Sequence, residues 1–421
     1  MGISSALYTG VSGLNTNGNA MSVIGNNIAN TNTIGFKSSR TIFSDLLSAT
    51  ISGSGGVSQV GRGTQLSVVD NIFSQGTFEN TESNTDLAIE GEGFFIVKPV
   101  GTQQTYYTRA GAFRFNESGY LVNPEGLRVQ GKAFEDDGTL SVGDPSDIKV
   151  DIGTLIPARS TANINLTTNL DSNAVAVPGG FDPANPTGTS SYATSTRVFD
   201  SLGNTHLLTT YFTKTNANEW DWTSVVDGGE LVGGTPGVLE IVGSGSLQFD
   251  VNGNLTAGQS GATNPGALAW NNGSDVQNIS LAFNTTQFSS DSIVISQGQD
   301  GYGAGSLVRI SIDGDGIVTA NYSNGERIKV SQLALAKFPN TGGLLKEGSN
   351  LYAASDASGD PRIGVPSSEL GKIFTNALEQ SNVDLAQEFV KMITTQRGFQ
   401  ANSRIITTTD ELLGELINLK R

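Results

Sequence analysis

The chain has 421 residues, which is enough for two or three domains of about 100–200 residues each. Its 53 glycines and its low charged fraction of 15% favour many short strands joined by tight turns, because glycine accepts positive φ at little steric cost. The net charge of −16 argues against nucleic-acid binding, and the lack of cysteine together with a single histidine excludes thiolate metal sites and paired-histidine catalysis.

Residues 1–30 contain the first predicted helix. The opening sequence, MGISSALYTGVSG, lacks the basic and apolar regions of a secretory signal peptide. From Leu7 onward an apolar residue recurs at every seventh position, and sustained spacing of this kind predicts a coiled-coil seam. The residues of this N-terminal seam are Leu7, Leu14, Met21 and Ile28.

Four glycines weaken this first helix. Gly10, Gly13, Gly18 and Gly25 each cost about 0.5–1 kcal/mol relative to alanine in a helix interior. Isolated helices of this length are marginal even with good helix formers. We therefore predict that the segment is disordered in the isolated subunit and becomes helical only against helices of neighbouring copies.

Residues 31–70 are polar and rich in turn formers, which predicts an extended connector with one short amphipathic piece at 41–47. The connector includes the glycine-rich sequence SGSGGVSQVGRG (52–63). This sequence has no Gly-Lys-Ser/Thr ending and follows no predicted strand, so a phosphate-binding loop is not predicted.

The middle of the chain predicts a mainly β fold. Apolar and polar residues alternate in several stretches, which is typical of half-buried strands. Four of these stretches are GFFIVKPV (93–100), HLLTTYFTK (206–214), WDWTSVV (220–226) and SLVRISID (306–313). Turns with Asp or Asn shortly before a glycine separate them, as hairpin loops require.

Two of these turns, which start at Asp250 and Asp313, carry closely spaced acidic and amide residues. Neither has the glycine at the sixth position and the glutamate at the twelfth that an EF-hand loop needs. We interpret both as hairpin turns, and no metal site is predicted.

The sequence singles out no catalytic residue. His206 begins a predicted strand and has no evident partner, so we interpret it as a surface or interface residue. The 40 acidic residues allow many carboxylate pairs for hydrolysis, but nothing distinguishes one pair. No cofactor-binding residue is predicted, and the protein is predicted not to be an enzyme.

A second connector, 356–371, contains two prolines, which discourage regular structure. It precedes a second predicted helix, in which the seven-residue apolar spacing returns over four intervals. This return favours a coiled coil built from both ends of the chain. The residues of the C-terminal seam are Leu385, Met392, Phe399, Ile406 and Leu413.

The two ends resemble the bacterial flagellar rod and hook protein family. The matching sequences are ALYTGVSGLNTNGNAMSVIGNNIANTNTIGFKSSR (6–40) and ALEQSNVDLAQEFVKMITTQRGFQANSRIITTTDELLGELINL (377–419). The internal stretches 86–97, 107–113, 300–307 and 324–355 are also similar to the family. The sequence VFDSLGNTHLLTTYFTKTNANEWDW (198–222) resembles the outer domain of the hook members in particular.

The resemblance implies a mainly β fold in which an inner β domain is interrupted by an outer one, with terminal helices in an axial coiled coil. The implied boundaries are 1–30 and 372–421 for the axial region, 31–70 and 356–371 for the connectors, 71–145 and 291–355 for the inner domain, and 146–290 for the outer domain.

The resemblance also implies a function. Hook members polymerise into a curved, flexible tube that couples rod to filament and transmits torque for motility. The implied partners are further copies of the chain, the distal rod protein, the hook cap and the hook–filament junction protein. The implied location is the flagellar basal body and hook, outside the cell, after type III export without a cleaved signal peptide. Neither nucleic acid nor membrane insertion is implied.

Three alternatives stay open at the level of sequence. A distal rod protein of the same family would form a straight polymer. A secreted β-rich adhesin or carbohydrate-binding protein fits the composition but does not explain the seven-residue repeats. A hydrolase with paired carboxylates would lose turnover on substitution of a single Asp or Glu.

Overall fold

A computed structural model describes residues 2–53, 56–135, 138–153 and 155–418. In this part of the chain the fold is mainly β with one long helix at each end, which confirms the predicted fold class. The chain forms two compact units. Unit 1 comprises Met1–Ile152, Ile310–Ala320 and Ile328–Arg421, and unit 2 comprises Gly153–Arg309 and Asn321–Arg327.

The two helices belong to unit 1. Helix α1 covers Gly2–Ala29 and helix α2 covers Leu385–Asn418. Residue 1 and residues 419–421 of the predicted axial region lie outside the described residues. Neither helix, within the part of the chain that the structure describes, is long and apolar enough to cross a membrane.

The strands before the first unit boundary are short. They are β1 (Ser39–Asp45), β2 (Ala49–Gly53), β3 (Gly56–Val60), β4 (Thr64–Asn71), β5 (Phe78–Asn80), β6 (Leu87–Glu90), β7 (Phe94–Lys98), β8 (Tyr106–Thr108), β9 (Arg114–Phe115), β10 (Leu121–Val122), β11 (Arg128–Ala133) and β12 (Ser146–Asp147).

Longer strands follow, together with a 3₁₀ helix at Gly228–Glu230. They are β13 (Asn163–Asp171), β14 (Tyr192–Phe199), β15 (Thr205–Asn216), β16 (Glu219–Asp227), β17 (Leu239–Phe249), β18 (Leu255–Ala257), β19 (Ser260–Ala262), β20 (Ser280–Phe288) and β21 (Ile293–Gln299).

The remaining strands lead to α2 and flank a 3₁₀ helix at Thr341–Gly343. They are β22 (Leu307–Ile312), β23 (Ile317–Tyr322), β24 (Arg327–Leu333), β25 (Leu335–Lys337), β26 (Leu345–Gly348), β27 (Leu351–Ala353), β28 (Arg362–Gly364), β29 (Lys372–Thr375) and β30 (Ala377–Glu379).

The predicted connector 31–70 consists largely of extended strands. Strands β1 and β4 pair antiparallel, from Ser39 opposite Asn71 to Asp45 opposite Thr64, and β2 pairs with β3. Most of the amphipathic piece at 41–47 falls in β1. Residues 54 and 55 of the glycine-rich sequence lie outside the described residues.

The core of unit 1 is built around β7. Its sequence FFIVK is an apolar run, and the first four side chains are fully buried, as expected for a strand covered on both faces. Strands β8, β11 and β25 pair with it. Phe94 of β7 makes edge-to-face contacts with Phe338 and Tyr352.

Unit 2 contains two sheets, with strand orders β19-β20-β13-β21 and β14-β15-β16-β17-β18. Alternate side chains of both sheets form one core that includes Trp220, Trp222 and Phe212. Gly261 lies against Trp222, where a Cβ atom would be only 2.3 Å from the indole ring. Glycine is therefore required at this position for the indole to pack.

The boundaries of the two units differ from the predicted domain boundaries. Strand β21 pairs with β13, so residues 293–299 belong to unit 2, whereas the predicted inner domain resumes at 291. Strand β12 pairs with β11 of unit 1, although the predicted outer domain begins at 146. Residues 136, 137 and 154 lie outside the described residues. The division into four parts stays a prediction.

Candidate assembly interface

The two terminal helices pack against each other antiparallel. A Cβ atom on Gly10 would lie 3.1 Å from Ile406 Cγ1, and one on Gly13 would lie 2.6 Å from Asn402 Oδ1. At the other end of the pair, Asn27 Nδ2 donates to Glu388 Oε2 at 3.1 Å. Low numbers on α1 therefore meet high numbers on α2.

The buried face of α1 consists mainly of small and polar residues. Its members recur every three or four positions, which is the period of one helix face. They are Gly10, Gly13, Thr16, Ala20, Ile24 and Asn27. Small side chains let two helix axes approach closely. The glycines that weaken α1 thus give it a tight contact with α2.

This contact corrects the prediction that α1 orders only against neighbouring copies. In the structure α1 is helical within a single chain, because α2 of the same chain provides the partner helix. The glycines at positions 10 and 13 face α2, whereas a Cβ atom on Gly18 or Gly25 would meet no atom of the described residues within 4 Å, apart from the backbone of α1 itself.

The nine predicted seam residues fall into two groups. Leu385 and Phe399 are exposed, while the others are half-buried. The half-buried residues are Leu7, Leu14, Met21, Ile28, Met392, Ile406 and Leu413. Of these, Ile406 lies against Gly10. The four predicted positions on α1 lie beside its buried face, so their contact with other copies stays a prediction.

Sequence reasoning missed an exposed apolar face at the start of α2. Phe389, Val390 and Ile393 are 46%, 62% and 47% exposed, and they lie next to the exposed Leu385. The spacing of 385, 389 and 393 places three of these side chains on one face of the helix. The recurrence of an apolar residue at every fourth position indicates this face, but it does not coincide with the seven-residue repeat from which the seam was predicted.

The helices differ in charge. The sequence contains no charged side chain before Lys37, so all of α1 is uncharged. Within α2, Glu388 is buried and accepts a hydrogen bond from Lys391 Nζ at 2.6 Å. An uncharged helix can pack against further helices without ionic repulsion.

A buried ion cluster lies where the helices meet the strands. Glu379 Oε1 is 2.6 Å from Lys37 Nζ, and Glu379 Oε2 is 3.4 Å from Arg109 Nη1, with all three side chains buried. Burial lowers the pKa of Lys37, and the opposing charge of Glu379 works against that shift. Burial also lowers the pKa of Arg109, again against the effect of Glu379.

The structure corrects the interpretation of His206 as a surface or interface residue with no evident partner. The ring is nine-tenths buried and stacks on Trp270 at 3.6 Å. Its Nδ1 is 2.7 Å from Glu230 Oε2, and its Nε2 is 3.2 Å from Asp200 Oδ2. Both carboxylates come from segments outside the strand of His206, which is why sequence pattern alone did not reveal them.

Asp200 is fully buried in this cluster. Burial alone would raise the pKa of its carboxyl group, but hydrogen bonds from Asn272, Asn204 and His206 outweigh burial and lower the pKa to about 2. No group of three acidic or histidine side chains within the described ranges is arranged to hold a metal ion.

The two turns considered as calcium loops bond to their own backbone. Asp250 Oδ1 accepts from the amides two and four positions ahead, and Asp313 Oδ1 does the same. Phe249 and Leu255 pair on either side of the first turn. The hairpin interpretation is therefore confirmed for Asp250, and Asp313 shows the same turn chemistry.

Four family models match the chain. The model "Flagella basal body rod protein" matches 7–37 and "Flagellar hook protein FlgE/F/G D1 domain" matches 88–179. "Flagellar basal body protein FlaE D2 domain" matches 169–302, and "Flagellar basal body rod FlgEFG protein C-terminal" matches 375–419.

Relatives match over the whole length. The flagellar hook protein FlgE of Borreliella burgdorferi is 37% identical, with 99% of each chain covered. The flagellar hook protein FlgE of Salmonella typhimurium is 36% identical, covering 97% of this chain and 98% of the relative. The chain belongs to the flagellar hook protein family.

Membership of the hook protein family confirms the resemblance found at the two ends. The family is structural, so the prediction that the chain is not an enzyme is confirmed. The crystal structure of Helicobacter pylori flagellar hook protein FlgE2 resembles this chain with a TM-score of 0.53 at 16% identity. That similarity covers 72% of this chain and 99% of that structure, and it concerns the fold alone.

Proposed function

We propose that this chain is the structural subunit of the bacterial flagellar hook, and that it polymerises into a curved, flexible tube which couples rod to filament and transmits torque. The full-length relatives named as hook proteins support this function. The structural observation that carries the proposal is the exposed apolar face of α2, formed by Leu385, Phe389, Val390 and Ile393.

The proposed contact is between this face and a helix of a second copy. Burying a large apolar side chain fully is worth about 1.5–3 kcal/mol, so half-exposed side chains contribute on the order of 1 kcal/mol each. A single contact of this kind is weak, but it recurs for every subunit. Contacts between unlike faces whose rotation does not close generate an open helical tube.

The nine predicted seam residues complete the proposed axial contacts. Leu385 and Phe399 are exposed on α2 and available to another copy. The half-buried positions on both helices border the contact between α1 and α2. In this proposal the antiparallel pair of α1 and α2 packs around the axis of the tube. The nine seam residues lie at the edges of this helix pair.

The proposed partners outside the homopolymer are the distal rod protein, the hook cap and the hook–filament junction protein. The proposed route to the flagellum is type III export without a cleaved signal peptide. The full-length relatives named as flagellar hook proteins support a place in the flagellum. Pull-down of each partner with purified polymer tests the first proposal, and mass measurement of exported protein tests the second.

Substitution of the exposed apolar face tests the proposed assembly. The double variant Phe389→Asp, Ile393→Asp should raise the concentration needed for polymerisation at least tenfold, since it places charge in the contact between copies. Val142→Asp is the matched control, because Val142 is exposed outside the helices. Sedimentation and negative-stain microscopy measure polymer, and tubes formed by the double variant at the control's concentration would contradict the proposal.

A further inference from the structure

The junction between the helices and the strands of unit 1 is closely hydrogen-bonded, although sequence analysis predicted a connector there. The segment between α1 and β1 and the segment between β30 and α2 meet at this junction. The amide side chains of the buried Asn27 and the half-buried Asn382 make cross-links there.

Asn27 joins three elements through one side chain. It is 1% exposed, and its Nδ2 donates to Ser39 O at 2.8 Å and to Glu388 Oε2 at 3.1 Å. Its Oδ1 accepts from Ser39 N at 3.0 Å. An amide has two N–H donors and one carbonyl acceptor, and here both donors and the acceptor are used. The end of α1 is therefore bound to β1 and to the first turn of α2.

Asn382 makes a second set of cross-links immediately before α2. Its Oδ1 accepts from Ser38 N at 2.8 Å, and its Nδ2 donates to Ile72 O at 2.8 Å and to Ser74 Oγ at 3.0 Å. The start of α2 is thus bound to the chain just before β1 and just after β4. A change in helix direction would break bonds at both asparagines.

The same junction is bound to the rest of unit 1. Lys346 of β26 donates from Nζ to Ser39 Oγ at 2.8 Å. Lys37 Nζ donates to Ser74 O at 2.8 Å and pairs with the buried Glu379 of β30. A continuous path of short polar contacts therefore runs from both helices into the strands.

We propose that Asn27 and Asn382 are positioning residues that fix the direction of α1 and α2 relative to the strands of unit 1. This inference rests on the proposed function, because a subunit that transmits torque needs its axial helices coupled to its β structure. Removal of the Asn27 side chain leaves backbone groups at the start of β1 without their partner, and removal of the Asn382 side chain does the same just before β1 and just after β4. The helix pair should then turn about the junction while both helices persist.

Distances between two spin labels test the inference directly. The chain has no native cysteine, so Asn19→Cys on α1 and Glu125→Cys in an exposed turn of unit 1 are the only labelling sites. Double electron–electron resonance on the full chain should give a narrow distance distribution. When Asn27→Ala or Asn382→Ala is introduced into the doubly labelled chain, the width of the distance distribution should at least double. Asn15→Ala, on the exposed face of α1, should leave the width unchanged.

Far-UV circular dichroism separates rotation about the junction from loss of helix. If Asn27→Ala loses helical signal, Asn382→Ala decides, because Asn382 lies outside both helices. An unchanged width in the variant that keeps its helices, or a broad distribution in the unsubstituted chain, would overturn the inference. Tube formation by the unsubstituted chain is scored separately, so failure of the proposed function would be recognised independently.

Discussion

Glu379 shows how a single buried charge can join distant parts of the chain. Its carboxylate contacts Lys37 and Arg109, and it also accepts from Gly76 N at 2.9 Å. These three partners come from three separate segments of unit 1. Sequence reasoning had no signal for this cluster, because none of its members lies near another in the chain.

Loss of the carboxylate should destabilise unit 1 strongly. Glu379→Ala leaves Lys37 and Arg109 buried without their counter-charge, and removal of one partner from a buried ion pair costs about 3–5 kcal/mol. Chemical denaturation followed by circular dichroism measures the free energy of unfolding. Glu347→Ala, on an exposed strand, is the control and should change it by less than about 0.5 kcal/mol. A loss below 1 kcal/mol for Glu379→Ala would contradict the account.

The buried carboxylate of Asp200 should make the free energy of unfolding of unit 2 decrease at low pH. The pKa of its carboxyl group is lowered to about 2 in the fold, against about 3.9 in an unfolded chain. The carboxylate therefore contributes stability above about pH 4, worth about 2–3 kcal/mol, and this contribution is lost as pH falls through about 2.

Tryptophan fluorescence can measure this effect in unit 2 alone, because the three tryptophans all lie there. Unfolding by urea at pH 6, 4, 3 and 2 should show the loss of stability. Asp200→Asn should be less stable at pH 6 and should lose less between pH 4 and 2. If the free energy of unfolding fell equally with pH in the unsubstituted chain and in Asp200→Asn, the carboxylate of Asp200 would not be the cause of the loss.

At the scale of elements, the sequence predicted where the two terminal helices lie in the chain, but it did not predict that they pack against each other. Seven-residue spacing located both helices, since large apolar residues recur on one side. The buried face of α1 instead contains Gly10, Gly13 and Ala20, which carry almost no apolar signal. In the sequence alone, a series of small residues indicates a helix of low stability. The structure shows that here they form the contact with α2.

The role of Gly13 in this contact can be tested against that of Gly18. Gly13→Leu should weaken the pairing of α1 with α2 by about 1–3 kcal/mol, because the new side chain enters the space of Asn402. Gly18→Leu is the matched control, since nothing lies within 4 Å of its Cβ position, and it should stabilise the helix slightly. Thermal loss of the far-UV helical signal measures both, and equal midpoints would contradict this packing.

At the scale of the whole molecule, the mainly β fold between two terminal helices was predicted correctly, and the division of the β part into domains stays a prediction. Strand β21 reads like its neighbours in sequence, and only its pairing with β13 assigns it to unit 2. Such long-range pairing is decided by the completed sheet rather than by local residue pattern. Glu230, which lies 24 positions from His206 in the chain, is likewise brought to the imidazole ring only by the completed fold.

Both termini are the parts of the chain that the proposed function depends on most. They hold the exposed apolar face of α2, the contact between α1 and α2, and the nine predicted seam residues. The β units supply the rest of the subunit, and the apolar core of unit 2 is formed by residues of unit 2. Removal of 1–30 and 385–421, which contain the two helices, should therefore abolish polymerisation and leave the β structure folded.

The most direct measurement is negative-stain electron microscopy of the full chain and of a chain lacking 1–30 and 385–421, which keeps Glu379 and β30, under identical polymerising conditions. The account predicts curved tubes from the full chain and none from the shortened one, whose tryptophan fluorescence should still show a folded unit 2. Tubes formed as readily by the shortened chain would contradict the account.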